Sequence, residues 1–253
     1  MNDLVFKKFL TLYYIMNVGK IIAAIVGVVL LYFIFTWFFS DSTRTVLTRL
    51  HNATISQTIL AENLPKNAST HFTFSICFYV DDWNHGFGKE KQLFTRMDEK
   101  KQPCPSVFFA PYENNITIRL ATYKKEGSDA GAADVDSNDL ILTNVPLQRW
   151  TSLIMVVNGR ALDAYIDGKL WKTKILNSIP KPIRSNIYLT SGGGFSGSTA
   201  NFLYINRALN PREVYDIYKE GCGGQAWFTD LFNRYRIKLA FLKDNVEVNT
   251  FMI

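Results

Sequence analysis

A chain of 253 residues with 47% hydrophobic and 14% aromatic side chains has enough apolar surface for one or two domains. Its 28 Lys and Arg against 22 Asp and Glu leave a formal charge of +6, but the basic residues are scattered and never run longer than two. That spread reads as solvated surface and argues against nucleic acid as a partner. Three cysteines with no CxxC spacing exclude both a disulfide scaffold and a zinc site. A Cys104–Cys222 bridge and three unpaired thiols both remain open, and unpaired thiols are the expectation.

Residues 1–40 differ in kind from the rest. The stretch 21–39, IIAAIVGVVLLYFIFTWFF, is nineteen residues without a charge, which as a helix at about 1.5 Å per residue crosses most of a ~30 Å hydrocarbon core. The bulky Phe-Thr-Trp-Phe-Phe before Ser40 is unlike a cleaved leader, so the expectation is a retained transmembrane anchor and a single-pass protein. Lys7, Lys8 and Lys20 precede the run and place the following domain on the lumenal side. Residues 41–70 read as a stalk. They carry the sequons Asn52-Ala53-Thr54 and Asn67-Ala68-Ser69, and a third, Asn115-Ile116-Thr117, lies further on.

From 71 to 224 the period is two. Phe72, Phe74, Ile76, Phe78 and Val80 alternate with Thr73, Ser75, Cys77 and Tyr79, giving a strand with one apolar face. Strands are expected around Gln92–Met97, Val107–Ala110 and Asn115–Tyr123, with a long loop over Lys124–Asn138. A meander follows, in which Asn158-Gly159 and Asp167-Gly168 are both read as the central pair of a type I′ turn. Further strands are expected at Asn186–Thr190 and Thr199–Ile205. Asn210, Pro211 and Glu213 form a capping box for one short helix, and Gly221 ends it. Many short strands with turns between them predict a sandwich of two antiparallel sheets. The tail, 225–253, is aromatic and basic. Trp227, Phe228, Leu231, Phe232 and Tyr235, interleaved with Arg234 and Arg236, suit a partner-docking surface or a helix and strand that seal the parent domain.

The residues offer little for catalysis. No Glu-x-Asp-x-x-Glu pattern supplies the paired carboxyls of glycoside hydrolysis. His51, His71 and His85 lie outside any nucleophile motif. Asp81, Asp82 and Asn84, and in the long loop Asp134, Asp136 and Asp139, offer hard oxygens for calcium but without the spacing of a built loop. Trp83, Tyr112, Tyr123 and Trp171 are the candidate sugar-stacking aromatics.

Phe74-Ser75-Ile76-Cys77-Phe78-Tyr79-Val80, Trp150 before an apolar strand, the Tyr165-Ile166-Asp167-Gly168-Lys169 turn, and Phe202-Leu203-Tyr204-Ile205 leading to Asn210-Pro211 occur in one order. In that order they resemble the laminin-G-like branch of the concanavalin A-like lectin/glucanase superfamily, over roughly 72–221. The resemblance implies a jelly-roll sandwich. Val80-Asp81-Asp82-Trp83-Asn84, Gly194-Phe195-Ser196-Gly197, the apolar N-terminus and the tail from Phe232 to Phe251 are closer still to membrane-anchored members encoded by large nucleocytoplasmic DNA viruses, including those of algae. That likeness implies a non-enzymatic, membrane-tethered structural module. It would be a minor capsid-associated virion protein joining an internal viral or virus-modified host membrane to the shell, with the bilayer and other virion or membrane proteins as partners. A membrane-anchored glycan-binding lectin is the alternative. A shell assembled on the cytoplasmic face also implies a reduced, unglycosylated domain, against the lysine rule, and the resemblance sets the expectation.

Overall fold

The computed structural model describes residues 20, 26–34, 43–65, 69–123, 135–222, 238–243 and 246–252. The chain divides into two compact units, 1–42 and 43–253. In the first, 26–34 is helical with its large apolar side chains exposed, Leu31 at 67% and Phe33 at 63%. No helix among the described residues is long and apolar enough to cross a membrane. Residues 21–25 and 35–39 of the expected span lie outside the described residues.

The second unit is mainly β, two antiparallel sheets of six strands each. One has the order β1 (Arg44–Asn52), β12 (Ser196–Ile205), β3 (Phe72–Asp82), β8 (Thr151–Asn158), β9 (Ala161–Ile166) and β10 (Lys169–Ile175). The other runs β2 (Gln57–Ile59), β11 (Ile187–Leu189), β4 (Lys91–Met97), β5 (Pro103–Phe109), β6 (Ile116–Tyr123) and β7 (Val135–Leu142). The alternation in β3 does what a period of two requires. Phe74, Ile76, Phe78 and Val80 all point into the layer between the sheets and are at most 1% exposed. Aromatic rings from both sheets interlock there. Phe94 lies 5.2 Å from Phe74 and 4.8 Å from Phe202, and Phe109 lies 5.3 Å from both Phe78 and Phe195.

Outside the first sheet a smaller apolar cluster forms under the helix Pro211–Lys219. Ile154, Val156, Tyr165, Leu203 and Ile205 meet Leu209, Val214 and Ile217. The capping box closes as expected: Asn210 Oδ1 accepts from the Arg212 and Glu213 amides at 3.0 Å, and Glu213 Oε2 accepts from the Asn210 amide at 2.8 Å.

Several expectations change. Residues 44–52 and 57–59, read as stalk, are strands. β1 pairs with β12 and β2 with β11. As an edge strand β1 is half exposed, so Val46, Leu47 and Leu50 among Arg and Thr leave little apolar contrast to read. β7 starts inside the expected long loop and pairs with β6 from Val135 to Leu142, its polar first half belonging to another edge strand. Asp167 and Gly168, with φ of 50° and 72°, make the expected type I′ turn. At the other turn the central pair is Gly159-Arg160, because Asn158 is still paired with Ala161 and only Gly159 has positive φ. On the open side, Lys172 Nζ and Lys174 Nζ of β10 donate across to the Ile141 and Asp139 carbonyls of β7, at 3.2 and 2.8 Å.

The cysteines also differ from expectation. Cys77 and Cys222 form a disulfide with Cα atoms 5.4 Å apart, and Cys104 is free and buried. Outward parity puts Cys77 on the face of β3 away from the aromatic core. The chain returns past the helix to meet it there, an approach that spacing alone does not show. Closing 145 residues constrains the unfolded chain by about 5 kcal/mol in the entropic picture. Burial pushes the Cys104 thiol up to about 12. A thiol reagent at pH 8 should therefore label no cysteine in the folded protein, one after unfolding without reductant, and three after reduction. A second reactive thiol in the unreduced, unfolded chain would disprove the pairing.

Candidate binding cleft

Three connections converge at one end of the sandwich: the loop after β3, the turn between β5 and β6, and the crossing from β7 to β8. They enclose a cleft of about 400 Å³, lined by Trp83, Tyr112, Glu113, Asn114, Asn115, Asn144 and Leu147. Its wall is built by hydrogen bonds between loops. The Val145 amide donates to the Asn114 carbonyl at 2.9 Å, and Asn114 Nδ2 returns a bond to the Val145 carbonyl at 3.0 Å. The Asn144 amide donates to Asn115 Oδ1 at 3.0 Å, and Asn115 Nδ2 donates to the Glu113 carboxylate. Asn144 adopts φ of 55°, a left-handed conformation that asparagine tolerates better than most residues.

The aromatic side is held equally firmly. Trp83 packs edge-on against Phe109 at 5.9 Å, so it rests on the inter-sheet core. Lys91 Nζ lies 4.1 Å from the centroid of its ring. Across the mouth, Tyr112 is 67% exposed and stacks edge-to-face with Phe87, itself 57% exposed, at 5.6 Å. The Gly88 amide donates to the Pro111 carbonyl at 3.1 Å and joins these two loops.

Of the four aromatics singled out in the sequence, the fold brings Trp83 and Tyr112 together. Tyr123 at the end of β6 and Trp171 on β10 are exposed but line no part of the cleft. Asn114, Asn144, Phe87 and Lys91 carried no motif. The signal for them was limited to the Asn-rich turn 113–115 and the position of Lys91 beside a strand. Asp81 and Asp82 are exposed, and Asp82 Oδ1 accepts from the Asn84 amide at 2.9 Å, capping its turn. Asp139 is paired with Arg119 at 2.8 and 2.9 Å. Asp134 lies outside the described residues, as do the tail positions Trp227, Phe228, Leu231, Phe232, Arg234, Tyr235 and Arg236. No group of three or more His, Cys, Asp or Glu suited to a metal occurs among the described residues.

A second, wider groove of about 630 Å³ lies beside the disulfide and includes Arg149, Trp150, Asp167, Tyr218 and Lys219. Arg149 and Asp167 are already ion-paired, and Asp167 Oδ1 also accepts from the Ser152 amide at 3.0 Å. The first cleft is the better ligand site. Its amides offer donors and acceptors together, beside two aromatic faces and one carboxylate. A single carboxyl does not supply the flanking pair of glycoside hydrolysis.

Lys91 is 1% exposed, and its ammonium has no hydrogen-bond partner among the described residues. Burial lowers its pKa below the ordinary lysine value. The unfolded chain therefore holds this proton more tightly than the fold. The charge costs stability at neutral pH, and the cost is relieved as pH rises through the depressed folded pKa toward the ordinary one. Lys91→Met should leave Tm at pH 7 unchanged or raised, with any gain shrinking at alkaline pH. A fall of several degrees at pH 7 would show that the ammonium's contact with Trp83 outweighs its desolvation.

No protein-family model matches the chain, and no curated protein sequence matches it. Solved structures do. The receptor-binding domain of botulinum neurotoxin D superposes with a TM-score of 0.51 at 12% identity, over 69% of this chain and 44% of that one. The binding domain of botulinum neurotoxin serotype D/C gives 0.50 at 12%, over 70% and 46%. The binding domain of Paraclostridial Mosquitocidal Protein 1 gives 0.49 at 18%, over 70% and 46%. The chain spans less than half the length of these structures. What it shares with the two neurotoxin domains is the fold, an antiparallel β-sandwich.

Proposed function

We propose that this protein is a non-catalytic recognition module whose cleft takes up a glycan. The observation that carries the reading is the convergence of Trp83 and Tyr112 with Asn114, Asn115, Asn144 and Glu113 around one cavity. Aromatic faces stack on the C–H faces of a sugar ring, and fixed amides bond its hydroxyls. The shared fold supports this, since the neurotoxin D domain is described as receptor-binding. The charge-free run 21–39 and the likeness to membrane-anchored laminin-G-like proteins of large DNA viruses support a tether that holds the module at a virion or virus-modified membrane.

Screening the full-length chain on a glycan array tests the cleft. At least one glycan class should bind, and Trp83→Ala and Tyr112→Ala should each weaken binding by about tenfold or more. Binding untouched by both substitutions would remove the cleft from the account.

One observation favours a second reading, a minor capsid-associated protein that docks through its tail. Lys238–Lys243 and Val246–Met252 form a separate two-stranded sheet that extends neither large sheet. Deleting 226–253 should then leave the melting temperature of the sandwich unchanged while abolishing incorporation into particles. Unfolding or aggregation of the truncated chain would make the tail part of the core instead.

A further inference from the structure

The structure separates two of the three N-linked sequons. Asn52-Ala53-Thr54 leaves the end of β1, with Asn52 and Thr54 both exposed. Asn52 Oδ1 accepts from the Thr54 amide at 3.0 Å and from its hydroxyl at 2.9 Å. Nδ2, the atom a glycan is joined to, has no hydrogen-bond partner among the described residues. Asn115 is the opposite case. Its Nδ2 donates to Glu113, its Oδ1 holds the Asn144 amide, and Thr117 is 8% exposed. A glycan on Asn115 would break the cleft wall, whereas one on Asn52 disturbs nothing in the fold. Asn67 lies outside the described residues.

A second observation points to the same compartment. The Cys77–Cys222 disulfide joins positions 145 apart in sequence, and disulfides persist where the surroundings are oxidising, as in the lumen where N-glycans are added. Lys7, Lys8 and Lys20 ahead of the apolar run agree with a lumenal domain. We infer that Asn52 carries an N-linked glycan and that the sandwich matures on the lumenal, oxidising side of a membrane. In the transfer, Asn52 Nδ2 attacks the anomeric carbon of a lipid-diphosphate-linked oligosaccharide. The new N–C bond forms as the C–O bond to the diphosphate breaks; the amide proton passes to the transferase base, and the lipid diphosphate leaves. This reverses the reduced, unglycosylated expectation drawn from the viral likeness.

Full-length protein made in eukaryotic cells tests it by treatment with a peptide N-glycosidase and by glycopeptide mass spectrometry. The enzyme should remove mass from the native chain. Asn52→Gln and Thr54→Ala should each lose one glycan, while Thr54→Ser and Asn115→Gln should keep it. Two independent routes to the same loss guard against one variant failing to fold. Absence of any glycosidase-sensitive mass, or a mass unchanged in both Asn52→Gln and Thr54→Ala, would overturn the inference. A chain glycosylated at Asn52 that binds no saccharide would leave it standing and count against the cleft alone.

Discussion

The packing of aromatic rings between the sheets is the contact on which the other features rest. Phe74, Phe94 and Phe202 form one group, and Phe78, Phe109 and Phe195 another. Truncating one such ring to alanine typically costs about 3–5 kcal/mol, a large part of a domain's net stability. Phe109 also reaches the surface chemistry, because Trp83 sits edge-on against it. The cleft therefore has a floor continuous with the core. A loop aromatic without that support would spend rotamer freedom each time it met a ligand.

The outer face of the first sheet is organised separately. Its apolar residues are too few for a second core, and the short helix covers them with Val214 and Ile217. The helix needs little intrinsic stability, because a capping box fixes its start and the disulfide fastens the chain just beyond its end. Arg44 at the start of β1 pairs with Glu220 at the end of the helix, so the first strand and the last helix are tied on the same face. The polar and covalent ties here do for the helix what burial does for the strands.

β3 and β9 were legible from sequence because their residue types alternate with a period of two, with apolar side chains facing the inter-sheet core. In β3 the opposite face of Thr73, Ser75 and Cys77 is buried as well. The capping box was legible for a similarly local reason. The edge strands β1, β2 and β7 were not. β1 and β2 bury one side incompletely, so their composition drifts toward that of loops, and β7 opens on the polar run Asp136, Ser137, Asn138 and Asp139. Of the seven residues that line the cleft, Trp83 and Tyr112 could be named from residue type. Asn114, Asn115 and Asn144 could not be grouped with them, because what assembles them is the meeting of three connections far apart in sequence. The disulfide failed for the same reason. Its partners were decided by strand parity on β3 and the return path of the helix.

The bonds from Lys172 and Lys174 to the β7 carbonyls bear on how these molecules meet one another. β10 and β7 are the terminal strands of their sheets, and an unpaired terminal strand offers its backbone as a template for a strand from another chain. Here the Ile141 and Asp139 carbonyls are already occupied by ammonium groups of the facing sheet. An incoming strand would have to displace charged donors and then lie beside lysines. On this side the sandwich resists runaway strand addition between copies.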